Sequence, residues 1–257
     1  MSPYTTLIFI AIKQHLMTIA KMSLENFLVI DIETVSAYRT FDDMSEAWQQ
    51  LWIEKVQRSL PDDVAAALYY QQRAGIMAEF AKVVCICLGY FKKEHGHLQF
   101  RVKTLASHNE AELLQEFVHT VDQLEAVHQR WNFTGHNIKE FDIPFICRRL
   151  LINGQAIPTY LDFQNMKPWE TNLVDTFQYW RFGDYKNFTS LNLLAACLDV
   201  PSPKEDMDGS KVGHTYWEEN DLQRIATYCG KDVATVANII LRFKNLPLLD
   251  PEAVVYV

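Results

Sequence analysis

The stretch Phe27-Leu28-Val29-Ile30-Asp31-Ile32-Glu33-Thr34 decides how the rest of the chain is read. Phe27–Asp31 is an unbroken apolar run that ends in a carboxylate, the pattern of a buried central strand. Positions two apart in a strand face the same side. Asp31 and Glu33, at the end of this strand, can therefore reach one cation. Oxygen ligands of this kind suit a hard ion such as Mg²⁺ or Mn²⁺. Taken alone, an Asp and a Glu at this spacing are equally the polar end of an ordinary strand.

Outward from this strand, residues 36–80 turn helical and form an insertion. Ala47, Trp48, Leu51, Trp52 and Val56 recur at helical spacing, Pro61 breaks the run, and Val64–Leu68 resumes it. Lys82–Phe91 is β-rich, and Leu98–Leu105 alternates apolar and polar residues. A turn at His95-Gly96-His97 joins the two as a hairpin. The two histidines read as exposed turn residues rather than a metal pair. Ser107 and Glu110 have the spacing of a capping box. The helix they open carries Leu113, Leu114, Phe117, Val118, Val121 and Leu124 on one face.

Trp131–Thr134 reads as a short strand stopped by Gly135. Pro144 suits the first turn of a following helix and Gly154 its C-terminal cap. Asn172–Thr176 is a further short strand, and Ser190–Leu198 a helix. Asp199–Trp217, rich in Pro, Asp and Gly, reads as a long loop. The last helix spans about Asp221 to Phe243, with Leu222, Ile225, Ala226, Cys229, Val233, Val236 and Ile240 as its buried stripe. Strands followed by crossover helices imply an α/β fold with a mixed central sheet flanked by helices. The expected domain plan is an N-terminal tail over 1–22, one catalytic domain over 23–245, and a C-terminal tail over 246–257. Leu7–Ile12 is too short to span a bilayer, so no membrane association is expected. Met17 and Met22 are alternative starts.

The net charge of −8, from 24 Lys and Arg against 32 Asp and Glu, argues against a protein that coats nucleic acid. It is compatible with an enzyme that needs a basic rim only near a carboxylate metal site. The five cysteines, at 85, 87, 147, 197 and 229, form no CxxC pair. Their odd number and mid-element positions suggest reduced, buried thiols and a cytoplasmic protein. There is no phosphate-binding glycine loop, no serine nucleophile elbow and no zinc signature.

Two further fragments carry acidic residues. Asp142, in Gly135-His136-Asn137-Ile138-Lys139-Glu140-Phe141-Asp142-Ile143-Pro144, falls at a helix start, where main-chain N–H groups stabilise a carboxylate. A simple helix cap is the competing reading. Tyr228 and Asp232 lie four apart on one face of the last helix. Gly230 between them costs about 1 kcal/mol relative to Ala in a helix, so close packing on the sheet is expected there.

Together VIDIET (29–34), NIKEFDIP (137–144) and YCGKD (228–232) are far more specific than any one of them. Their order resembles the DEDD superfamily of 3′→5′ exonucleases, and within it the tyrosine subgroup (DEDDy), whose third motif is Tyr-x-x-x-Asp. The histidine subgroup would have His at position 227, where this chain has Thr227. Over about residues 24–243 the chain is similar to stand-alone bacterial exonucleases related to the proofreading domain of family-B DNA polymerases. The resemblance implies a ribonuclease H-like core and catalysis by Asp31, Glu33, Asp142, Tyr228 and Asp232 with two divalent ions, Mg²⁺ or Mn²⁺. It implies that Asp31 bridges both ions, that Glu33 and Asp232 complete the site of the one activating water, and that Asp142 holds the second. Tyr228 would orient the attacking water. Its ordinary pKa of about 10 suits a positioner better than a base.

Thr34, Asn137 and Phe141 are candidate substrate contacts at the terminal nucleotide. Turn hydrogen bonds for the first two, and a core position for Phe141, are the competing readings. Trp180–Lys186 interleaves aromatic and basic residues, the composition of a single-strand groove. Lys204 and Lys211 are candidate phosphate contacts. The expected substrate is the 3′ end of single-stranded nucleic acid, with DNA favoured, and mononucleotides the product. An RNA exonuclease on the same scaffold and a non-catalytic, polymerase-associated binding module are the rival readings. No polymerase motifs fit in this length, so proofreading or DNA repair would involve a partner in trans. The insertion at 36–80 is a candidate protein-docking surface.

Overall fold

A computed structural model of the protein describes residues 19–128, 131–167, 170–201 and 207–257. The Leu7–Ile12 run, most of the expected N-terminal tail and Lys204 lie outside these residues.

Strand β1 runs Phe27–Ser36, longer than its apolar core suggests. The insertion follows as helices α1 (Glu46–Val56) and α2 (Ala66–Arg73). Strands β2 (Ala81–Glu94) and β3 (His97–Ala106) form the expected hairpin. His95 and Gly96 turn it with φ of 49° and 85°, a left-handed pair that suits the twist of the two strands. Helix α3 (Glu110–Val127), strand β4 (Asn132–Gly135) and helix α4 (Asp142–Ile152) come next. Then follow strand β5 (Leu173–Asp175), helix α5 (Thr176–Arg181) and helix α6 (Leu191–Cys197). Helices α7 (Val212–Trp217) and α8 (Leu222–Phe243) and strand β6 (Val254–Tyr256) complete the described elements.

The six strands make one sheet in the order β5-β4-β1-β2-β3-β6. Strand β2 runs antiparallel to its neighbours β1 and β3, while β4, β5 and β6 each join in parallel. The order 3-2-1-4-5 within it, with helices on both faces, is the ribonuclease H-like arrangement. Alternation along β1 divides the core. Phe27, Val29 and Val35 face Ile225, Val233, Val236 and Ile240 of α8. Leu28, Ile30 and Ile32 face Leu113, Leu114, Phe117, Phe145 and Ile146 of α3 and α4. Gly89 lets α8 close onto β2, for a Cβ there would stand 2.6 Å from Val233 and 2.4 Å from Phe100.

Several expectations need correction. Within the expected C-terminal tail over 246–257, Val254–Tyr256 pairs with Phe100–Val102 of β3. Gly230 is explained by this strand: a Cβ would lie 3.1 Å from the Tyr256 ring. At the other end, Ile19 is buried, and Lys244 Nζ donates to the carbonyls of Ile19, Ala20 and Met22. The cap of α3 is Asn109, whose side chain accepts from Ala111 N and Glu112 N. Glu110 instead forms a buried ion pair with Arg149 and accepts from Val83 N. The expected long loop after Asp199 contains α7. In the insertion only Trp52 and Val56 of the anticipated stripe are buried, and Trp48 and Leu51 are exposed. Trp52 and Tyr70 centre a separate small core there, and Trp52 Nε1 donates to Ala66 O. Of the five free cysteines, Cys197 is exposed. No helix among the described residues is long and apolar enough to cross a membrane.

Candidate active site

Asp31 and Glu33 lie in the middle of β1 rather than at its end. Between Glu33 and Thr34 the ladder slips: Glu33 pairs with Cys85, Thr34 with Val83, and Val84 is the extra residue. A bulge of this kind bends a strand locally and re-aims its side chains. Glu33 is buried and Asp31 part-buried, both on the face toward α8. The carboxylates of Asp31 and Glu33 and the sulfur of Cys229 lie within 4.8 Å of one another.

Asp142 opens α4. Its Oδ1 accepts from Ile32 N at 3.1 Å, which fixes the start of α4 beside the residue between Asp31 and Glu33. The preceding loop is shaped by Asp175, a residue the sequence did not single out. Asp175 is buried at the end of β5 and caps α5 by accepting from Phe177 N and Gln178 N. It also accepts from Asn137 N at 3.0 Å and Lys139 N at 3.1 Å. The cap of a short helix thus anchors the turn that delivers Asp142. Only a local signal existed for it, an Asp followed by helix-compatible residues. Gly135 is required at the end of β4, because a Cβ would lie 2.6 Å from Ile30 O.

Tyr228 and Asp232 stand one turn apart on α8, as their spacing predicts, close enough for each to shift the other's titration. All four carboxyls are displaced upward. Burial is the first cause for each. Asp31 is then raised by Glu33, Asp142 and Asp232, and Glu33 by Asp232 and Asp142. Asp142 is pushed up to about 7 and Asp232 to about 6. Burial and the charges of Asp232 and Glu33 hold the Tyr228 phenol far above its ordinary value. Four converging carboxylates disfavour one another's charge until cations neutralise them. The donor set is all oxygen, which fits hard divalent ions. Asp31, Glu33, Asp142 and Asp232 are the residues that would hold them.

The other expected contacts differ in availability. Thr34 Oγ1 already donates to Gly75 O of the insertion at 2.6 Å. Asn137 adopts φ 66°, and its Oδ1 is enclosed without a hydrogen-bond partner. Phe141 packs against the core and against Phe145, with ring centroids 5.3 Å apart. The His136 ring is tied to Thr189 O and Thr176 Oγ1. His95 and His97 lie at the hairpin turn. In the aromatic and basic segment, Trp180 packs on the core. Phe182 and Tyr185 are 84% and 78% exposed. The Arg181 guanidinium lies over Phe177 at 4.0 Å and near Tyr185 at 5.5 Å.

No curated protein matches the chain. Among solved structures it is similar to the family B DNA polymerase from the hyperthermophilic archaeon Pyrobaculum calidifontis, at 16% identity and a TM-score of 0.46. That likeness covers 84% of this chain and 24% of the polymerase, so the chain spans about a quarter of the polymerase's length. The model of the family described as "Predicted 3'-5' exonuclease related to the exonuclease domain of PolB" matches residues 76–249. The matched span includes Asp142, Tyr228 and Asp232 and begins after β1, which carries Asp31 and Glu33. With well over half of its residues matched, the chain belongs to this family of exonucleases related to the exonuclease domain of PolB.

Proposed function

We propose that this metal-dependent exonuclease removes nucleotides one at a time from the 3′ end of single-stranded DNA, using two ions held by Asp31, Glu33, Asp142 and Asp232. The observation that carries the reading is the convergence of four carboxylates from β1, α4 and α8, with the Tyr228 side chain beside them. Bound Mg²⁺ or Mn²⁺ supplies stabilisation of the attacking and leaving oxygens and lowers the pKa of water.

The remaining work falls to the chain. Asp31 is the carboxylate influenced by all three others, and it would help to hold both ions. Glu33 and Asp232 would contribute to one ion's site and Asp142 to the other. A hydrogen bond from the Tyr228 hydroxyl to Asp232 would leave the phenol oxygen, still protonated, free to accept from the attacking water and set its line of approach. Water oxygen then bonds to phosphorus and releases a proton to solvent, the bond to the 3′-oxygen of the penultimate nucleotide breaks, and that oxygen takes up a proton from solvent. The product is a nucleoside 5′-monophosphate.

The exposed rings of Phe182 and Tyr185 beside Arg181 favour a single strand, whose bases have free faces to stack. Asn137 and Phe141 are the terminal-nucleotide contacts we favour, since the Thr34 hydroxyl is already engaged. Residues 23–245 together with β6 form the catalytic unit, acting in trans with a polymerase or in DNA repair. The test is digestion of 5′-labelled single-stranded DNA and RNA of one sequence with Mg²⁺, Mn²⁺ or EDTA. A metal-dependent ladder shortening from the 3′ end of DNA, absent in Asp31→Ala, is expected. Faster digestion of RNA would transfer the reading to RNA, and no digestion of either would favour a binding module.

A further inference from the structure

Directly behind the carboxylates lies a second cluster of ligand atoms that this mechanism does not use. Cys85 and Cys87 sit two apart on β2 and face α8, where Cys229 meets them. All three thiols are fully buried, and their sulfurs lie within 4.8 Å of one another. Cys85 Sγ and Cys87 Sγ are 4.0 Å apart. Three thiolates on one zinc ion, with Zn–S of about 2.3 Å, stand about 3.8–4.0 Å from each other. The cluster is therefore close to ligand spacing without any movement of the main chain.

The cluster also touches the active site. Cys229 Sγ donates to Asp31, with Oδ2 at 3.3 Å and the main-chain oxygen at 3.4 Å. Cys87 Sγ lies 3.1 Å from Thr104 Oγ1, a polar neighbour at the far side.

We propose that Cys85, Cys87 and Cys229 form a binding site for a soft divalent cation of the zinc class, and that its occupation inhibits the adjacent carboxylate centre. Soft thiolates select such ions against Mg²⁺ and Mn²⁺, which prefer oxygen. A bound ion holds each cysteine as thiolate. Cys229 then has no proton to donate, and Asp31 loses that hydrogen bond. The inhibitory half of this proposal rests on the exonuclease reading; the binding half does not.

The test uses the reduced full-length protein in excess Mg²⁺, titrated with Cd²⁺ as an absorbing stand-in for zinc. Thiolate-to-metal charge-transfer absorption saturating at one equivalent is expected. It should persist in Cys147→Ser/Cys197→Ser, whose thiols lie outside the cluster, and in Asp31→Asn. Affinity should fall at least tenfold in Cys85→Ser and Cys87→Ser proteins that retain the wild-type circular dichroism. No absorption band, or loss of the band in Cys147→Ser/Cys197→Ser, would overturn the site. One equivalent of Zn²⁺ should lower the Mg²⁺-supported exonuclease rate at least tenfold; stoichiometric binding with an unchanged rate would overturn the inhibition. Because binding is read by absorption, an inactive nuclease that still gives the band separates failure of the exonuclease reading from failure of the site.

Discussion

The Asp142 carboxylate accepts a hydrogen bond from the main-chain N–H of Ile32 at 3.1 Å, and so ties the first turn of α4 to the strand between Asp31 and Glu33. Residues 110 positions apart in sequence are thereby held at a fixed distance inside one site.

This bond separates the structural and chemical roles of Asp142. Asp142→Asn keeps an acceptor for Ile32 but loses the charge. Activity should fall by about 100-fold or more, as when a charge-stabilising group is removed from an active site. Melting in EDTA at alkaline pH should move upward, because a buried, repelled carboxylate is gone. Asp142→Ala should lose activity equally and also strand the Ile32 N–H, at a cost of about 1–3 kcal/mol. Equal melting temperatures for the two variants would contradict the role of the bond.

The upward displacement of Asp142 to about 7 and Asp232 to about 6 sets a pH dependence. Unfolded aspartate titrates at about 3.9. A folded value above this means that the fold favours the neutral form. The corresponding stability is full below about pH 4 and is lost as pH rises through 6 to 7. Bound divalent ions reverse the preference by stabilising the charged form. The gap in melting temperature between metal-loaded and EDTA-treated protein should therefore widen as pH is raised from about 5 to about 8. A gap that stays constant over that range would count against this account.

Tyr228 should behave as a neutral positioner. Its phenol is raised by burial, Asp232 and Glu33, so it stays protonated through the working range. Tyr228→Phe should lower kcat by about 100-fold, the effect of a misplaced reactant, with a smaller change in KM. The wild-type pH–rate profile should show no tyrosine ionisation up to about pH 10. An alkaline limb near that value that disappears in Tyr228→Phe would instead identify a base.

The pair Arg149–Glu110 joins α4 to α3 behind the site. Arg149 Nε and Nη2 donate to the Glu110 carboxylate, and Nη1 donates to Ala78 O. Both residues are buried, so removing one partner leaves an uncompensated charge. Arg149→Met should cost about 3–5 kcal/mol in urea unfolding, with little change in activity per folded molecule. Arg149→Met/Glu110→Leu should recover much of that loss. If the single variant unfolds like wild type, the pair is not a structural tie.

The sequence by itself determined what depends on local periodicity and on contiguous motifs. The apolar run to Asp31 marks the central strand, the hairpin turn lies at His95-Gly96, and the stripe of α8 from Ile225 to Ile240 is buried as its spacing requires, with Leu222 part-buried. Tyr228 and Asp232 share a helix face because 3.6 residues make a turn. The tertiary structure alone decided what depends on distant partners. Glu110 forms an ion pair with Arg149 rather than a capping box, because burial rewards the charge partner more than a local N–H. Thr34 gives its hydroxyl to Gly75 of the insertion, Asp175 holds the loop before Asp142, and Val254–Tyr256 extends the sheet. The meeting of Cys85, Cys87 and Cys229 belongs to the same class. Packing brings α8 onto β2, and no spacing along the chain records that approach.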